Sequence, residues 1–276
     1  MKGGSYASAP SEISFHFISF LLFVVAGALS STAVQGQMQV LCLWGGGTGN
    51  WSSSTNWGTC PPPNNNQNFT YQVNIGNLTS GIVNLDQTVT VDAVTLGVGA
   101  AGALNVNSGH NLTMVQGINV GDLPGGTGLL NISNGTVTDQ SIGYVGAFAG
   151  ASGVIKISNA GSSFTNVGTL YFGDYGSAQM SINSGGSVST STTYMAFQPG
   201  SSATVSVSDA GSQWNTSGTL YVGDYGQGSL SISNGALVTS GGSSLLHYCP
   251  AKNSGGHRNP LKMSVITHAR SKNDLN

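Results

Sequence analysis

Gly168-Thr-Leu-Tyr-Phe-Gly-Asp-Tyr-Gly176 returns fifty positions later as Gly218-Thr-Leu-Tyr-Val-Gly-Asp-Tyr-Gly226. The match runs without a gap over 34 residues, Ile157 to Thr190 against Val207 to Ser240. A unit of half that length lies underneath. Apolar-x-apolar pairs stand at Leu104/Val106, Leu130/Ile132, Ile155/Ile157, Met180/Ile182, Val205/Val207 and Leu230/Ile232, spaced by 26, 25, 25, 25 and 25. The residues between them (Asn105, Asn131, Lys156, Ser181, Ser206 and Ser231) are polar. Alternation with period 2 puts the apolar pair on one face and the polar residue on the other, as in a half-buried strand.

A turn signal follows each pair: Ser108-Gly109, Asn134-Gly135, Asn159-Ala160, Ser184-Gly185, Asp209-Ala210 and Asn234-Gly235. Gly, Asn and Asp accept the left-handed backbone that closes a tight bend. Each unit therefore reads as short strand, turn, short strand, with no room for a helix. Such a unit cannot bury its apolar face alone, but units stacked in register form a continuous core. The sequence predicts an all-β fold, a parallel β-helix of about 25 residues per coil. A stacked β-roll is the close rival.

Composition agrees. Only 6% of the 276 residues are Asp, Glu, Lys or Arg, against about 25% in ordinary domains. Stacked coils bring equivalent residues into columns about 4.8 Å apart. Like charges in such a column repel, while Ser, Thr, Asn and Gly pair or pack. A helical bundle is excluded, since its wet faces need long charged side chains. Ordinary disorder is excluded by 39% hydrophobic residues and a net charge of -2. Nucleic-acid binding needs a basic stripe, and Lys156 is the sole cation between Gly3 and Ala251.

The two ends differ from the body. Ile13 to Leu29 is an uncharged, mostly apolar run after Lys2 and before Ser30-Ser31-Thr32-Ala33. That order is expected of a signal peptide over 1–36, cleaved after Ala33 or Gly36, and of a secreted or surface-located chain with no transmembrane helix in its mature part. Residues 37–95 are read as N-terminal cap and first coils and 96–240 as regular coils. Past Leu245 the repeat stops, and Lys252, Arg258, Lys262, Arg270 and Lys272 crowd a basic, aperiodic tail over 241–276. The tail reads either as a segment for an acidic surface or as the mark of a truncated or frame-shifted product. On the second reading the last rung is left as a raw edge for self-association.

The repeated residues resemble a known pattern. Gly-Ser-x-(Trp/Phe), then Leu-Tyr-(Phe/Val)-Gly-Asp-Tyr-Gly, then (Met/Leu)-Ser-Ile, at Gly161–Val188 and Gly211–Val238 and more weakly at Ile118–Val137, is similar to the repeat of bacterial autotransporter passengers and PEP-CTERM-associated surface proteins. Trp44-Gly-Gly-Gly-Thr-Gly-Asn-Trp51, with Trp57 beyond, resembles the start of such passengers. The resemblance covers about residues 44–240. It implies a right-handed β-helix displayed or secreted at the cell surface in an adhesive or matrix role. The membrane barrel of an autotransporter and the sorting motif of a PEP-CTERM protein do not follow the repeat in this sequence.

Candidate site residues recur with the repeat. Tyr171, Tyr175, Tyr221 and Tyr225, with Trp214, form an aromatic set that could stack on sugar rings or pack between loops. Asp174 and Asp224 lie in Gly-Asp-Tyr-Gly turns two coils apart, roughly 10 Å. They read as a carboxylate pair for glycoside chemistry or as turn residues bonded to their own backbone, and Asp122 extends the row. Cys42 and Cys60 flank the tryptophans and form a candidate disulfide, whose loop of 18 residues would contribute about 3 kcal/mol. No cofactor or metal motif is read: the Gly-Gly-x-Gly-x-Asp nonapeptide and the P-loop are absent, and no Ser/His/Asp arrangement is credible. The expectation is a non-enzymatic scaffold for adhesion or surface display, with extracellular glycans or a host or matrix surface as the partner read from the aromatic set; a polysaccharide-degrading enzyme on the same fold is the alternative.

Overall fold

The computed structural model describes residues 37–242. The expected signal peptide and most of the basic tail lie outside the described residues. Among the described residues there are nineteen strands and one short 3-10 helix, and every strand pairing is parallel. The chain is a β-solenoid of stacked coils of about 25 residues, as its periodicity requires.

Each regular coil contributes one strand to each of two sheets. The second sheet stacks β2 (Gly47–Asn50), β4 (Gly81–Leu85), β6 (Ala101–Asn107), β8 (Thr127–Ser133), β11 (Ser152–Ser158), β13 (Ser177–Asn183), β15 (Ser202–Val207) and β18 (Gln227–Ile232). The first sheet stacks β1 (Met38–Leu43), β3 (Phe69–Ile75), β5 (Val89–Leu96), β7 (Asn111–Val120), β12 (Ser163–Phe172), β14 (Ser187–Met195) and β19 (Leu237–Ser240). In two coils its strand is split in two, β9 (Thr136–Asp139) with β10 (Gly143–Val145) and β16 (Gln213–Thr216) with β17 (Leu220–Val222). Register shifts at Val91/Ala93 and Asn166/Thr169 mark the same bend in unbroken strands. The coil is thus three-limbed.

The predicted apolar pairs fill the interior. Leu104, Leu130, Ile155, Met180, Val205 and Leu230 pair rung to rung and are all buried. Each such side chain contributes about 1.5–3 kcal/mol relative to exposure. Beside it runs a column of small residues: Gly47, Gly81, Gly102, Gly128, Gly153, Ala178, Ala203 and Gly228. A Cβ on Gly102 would stand 2.0 Å from the carbonyl oxygen of Ile75, so the neighbouring limb dictates glycine there. The six turn residues singled out above, Ser108, Asn134, Asn159, Ser184, Asp209 and Asn234, all have φ between 53° and 77°.

Three tryptophans close the coil at the N-terminal end. Trp57 meets Trp44 and Trp51 edge-on at 4.8 and 5.0 Å, and donates its indole N–H to the Trp51 carbonyl at 2.7 Å. Trp51 donates to the Pro63 carbonyl at 2.9 Å. The Cys42 and Cys60 sulfurs are bonded, with Cα atoms 5.8 Å apart, so the segment carrying the plug is tied to β1.

Candidate functional site

The outward residue of the last limb in four successive coils builds the most distinctive surface feature. Tyr144, Tyr171, Tyr194 and Tyr221 occupy one column in successive rungs. Their rings lie nearly parallel, with centroids 5.2, 5.5 and 4.5 Å apart and interplanar angles of 9°, 11° and 5°. Phe197 leans edge-on against Tyr171 and Tyr194 at 5.0 and 5.1 Å, and Tyr225 meets Phe197 at 6.4 Å. Burial, then the Tyr171 hydroxyl and the Asp174 carboxylate, push the Tyr144 hydroxyl above its ordinary range. Burial, then Tyr221 and Tyr171, do the same to Tyr194. Both shifts favour the neutral hydroxyl at Tyr144 and Tyr194.

This geometry redistributes the candidate roles. Both faces of Tyr171 are covered by ladder neighbours, and Tyr194 covers one face of Tyr221. Rings about 5 Å apart leave no room for a sugar between them. Tyr175 and Tyr225, by contrast, stand at the corners 41% and 50% exposed. Trp214 departs from its expected surface role: its exposure is 0%, and its indole donates to the Thr190 hydroxyl at 3.2 Å inside the coil. Phe164, its equivalent, is buried likewise. Tyr144 and Tyr194 were hidden in the sequence, because the Gly-Asp-Tyr-Gly that marks their partners does not follow them.

The carboxylates occupy alternate coils. Asp122, Asp174 and Asp224 sit at one corner, separated by coils that place Ala147 and Phe197 there. Successive acids are thus two rung spacings apart, about 10 Å. Asp224 is buried and Asp174 half-buried, and burial pushes the Asp122 carboxyl up.

A second polar group lies inside the core, where no functional residue was expected. At the bend of the first sheet the inward column changes from Val91 and Met114 to Asp139, Asn166, Thr190 and Thr216. Asn166 donates its amide to the Asp139 carboxylate at 2.7 Å and to the Ser141 carbonyl at 2.9 Å. The Ser141 N–H donates to Asp139 at 3.1 Å. Asn166 Oδ1 has no partner among the described residues. Thr190 accepts from Thr193 at 3.0 Å and lies 3.0 Å from the Thr216 hydroxyl.

No protein-family model, no curated protein and no solved structure matches this chain.

Proposed function

We propose that the chain is an exported, non-catalytic solenoid that holds an aromatic ridge against extracellular glycan or matrix, in an adhesive or display role. One observation carries this reading: Tyr144, Tyr171, Tyr194 and Tyr221, with Phe197 and Tyr225, gather six aromatic side chains along one edge of the solenoid. Exposed apolar surface gathered in one place marks a contact site more often than scattered residues do. On this reading the ladder stiffens the edge and the corner rings of Tyr175 and Tyr225 make the contact. Export rests on the signal-like segment, and an adhesive setting on the resemblance of the repeat to surface passengers. Self-association through the edges of β18 and β19 belongs to the same proposal.

Retention on insoluble polysaccharides, with release of soluble sugar assayed in parallel, tests it. The expected result is retention without sugar release. It should weaken at least fivefold in Tyr175→Ala/Tyr225→Ala and hold in Asp174→Asn/Asp224→Asn. Sugar release that Asp224→Asn abolishes would replace the scaffold with an enzyme, and no retention on any polysaccharide would end the adhesive reading.

A further inference from the structure

On another limb of the coil, the outer face of the second sheet carries a trough of about 560 Å³. Its floor is one register column, Ile82, Ala103, Leu129 and Val154. Ile82 is 42% exposed, and the single methyl of Ala103 leaves a dip between it and Leu129. Three rung spacings give a length of about 14 Å. Stacking does not force this column to be apolar, because in the next three coils it continues as Gln179, Thr204 and Ser229. The adjacent outward column is an amide ladder, with Asn105 donating to Asn84 at 2.9 Å and Asn131 to Asn105 at 3.3 Å. It ends at Lys156, on the same rung as Val154. Lys156 is the one Lys or Arg among the described residues, on a body that carries seven Asp. A cation in that setting, at the end of an apolar strip, is complementary to a single anion joined to an apolar chain.

We infer that this trough binds a free long-chain carboxylate, the alkyl chain along the Ile82–Val154 column and the head group at Lys156. The strip is narrow, flanked by the amide ladder on one side and by Ala101, Thr127 and Ser152 on the other, which suits one chain and not a bilayer. A second copy of this chain fits less well. Every described acid lies at a corner or in the first sheet, so two such faces laid together would bury Lys156 without a counter-charge.

Calorimetric titration of the full chain with dodecanoate, below its micelle concentration, tests the inference. Saturable binding is expected, weakened at least fivefold by Lys156→Gln and removed by Ala103→Gln, which fills the dip. Dodecyltrimethylammonium should not bind. Both substitutions lie on the outer face, and unchanged thermal unfolding would show that they leave the fold alone. The inference is overturned by absent or non-saturable heat, by equal binding of the two amphiphiles, or by binding that survives Ala103→Gln. Adsorption to anionic vesicles without monomer binding, or a dimer that Ala103→Gln dissociates, overturns it equally.

Discussion

Asp139 is the residue the fold treats least like its type. Its exposure is 0%, and burial drives its carboxyl up to about 6, against the opposing hydrogen bonds from Ser141 and Asn166. The folded state therefore holds this proton more tightly than the unfolded chain, whose carboxyl titrates near 3.9. Stability from this group is full below about pH 4 and is lost as pH rises through about 6, an effect of about 3 kcal/mol. Urea unfolding at pH 4 and pH 7 should show the higher midpoint at pH 4, and Asp139→Asn should shrink that difference, leaving the smaller share of Asp122, whose carboxyl burial also pushes up. A wild-type midpoint that rises with pH would contradict the assignment. The sequence placed the turn residues correctly because Asn, Asp, Ser and Gly carry their backbone preference with them. It concealed Asp139, Asn166, Thr190 and Thr216, since a polar side chain at an inward position reads as outward until its partners are known.

At the scale of the strand and its corners, a constant period conceals alternating parts. Two residues join β8 to β9 and four join β11 to β12; six join β10 to β11 and four join β12 to β13. A coil that is long at one corner is short at another, and the total stays at 25. The tyrosines of the ladder are consequently spaced by 27, 23 and 27, which is why a search at fixed period finds only every second one. Alternate corners also interleave, with Phe197 seated between the tyrosines of its neighbours. Removing residues 152–201 keeps the alternation, whereas removing 177–201 sets two Gly-Asp-Tyr-Gly corners against each other. Solenoid stability is a sum over units and their interfaces, so the larger deletion alone should cost more. The interleaved corners predict the reverse: the deletion of 177–201 unfolds at the lower urea concentration. The opposite order would show that the corners act independently.

Across the whole molecule, the solenoid was legible because chemically matched residues recur at one interval over six units. What periodicity did not disclose is the division of each coil into three limbs. The bend falls where register shifts by a residue or two, at Asn166/Thr169 for example, and the limbs on either side are three or four residues long. The tryptophan plug was locatable but its packing was not, since three indoles in fourteen residues fix a cluster without fixing its geometry. The central claim is that positions 25 apart are neighbours in adjacent rungs. Introduced cysteines on the outer face of the second sheet test it, in a Cys249→Ser background. Gln179 pairs with Thr204 and Thr204 with Ser229. Gln179→Cys/Thr204→Cys and Thr204→Cys/Ser229→Cys should oxidise to intramolecular disulfides, while Gln179→Cys/Ser229→Cys, two rungs or about 10 Å apart, should stay reduced. Equal coupling in all three, or none in the two neighbouring pairs, would contradict the stacked coil.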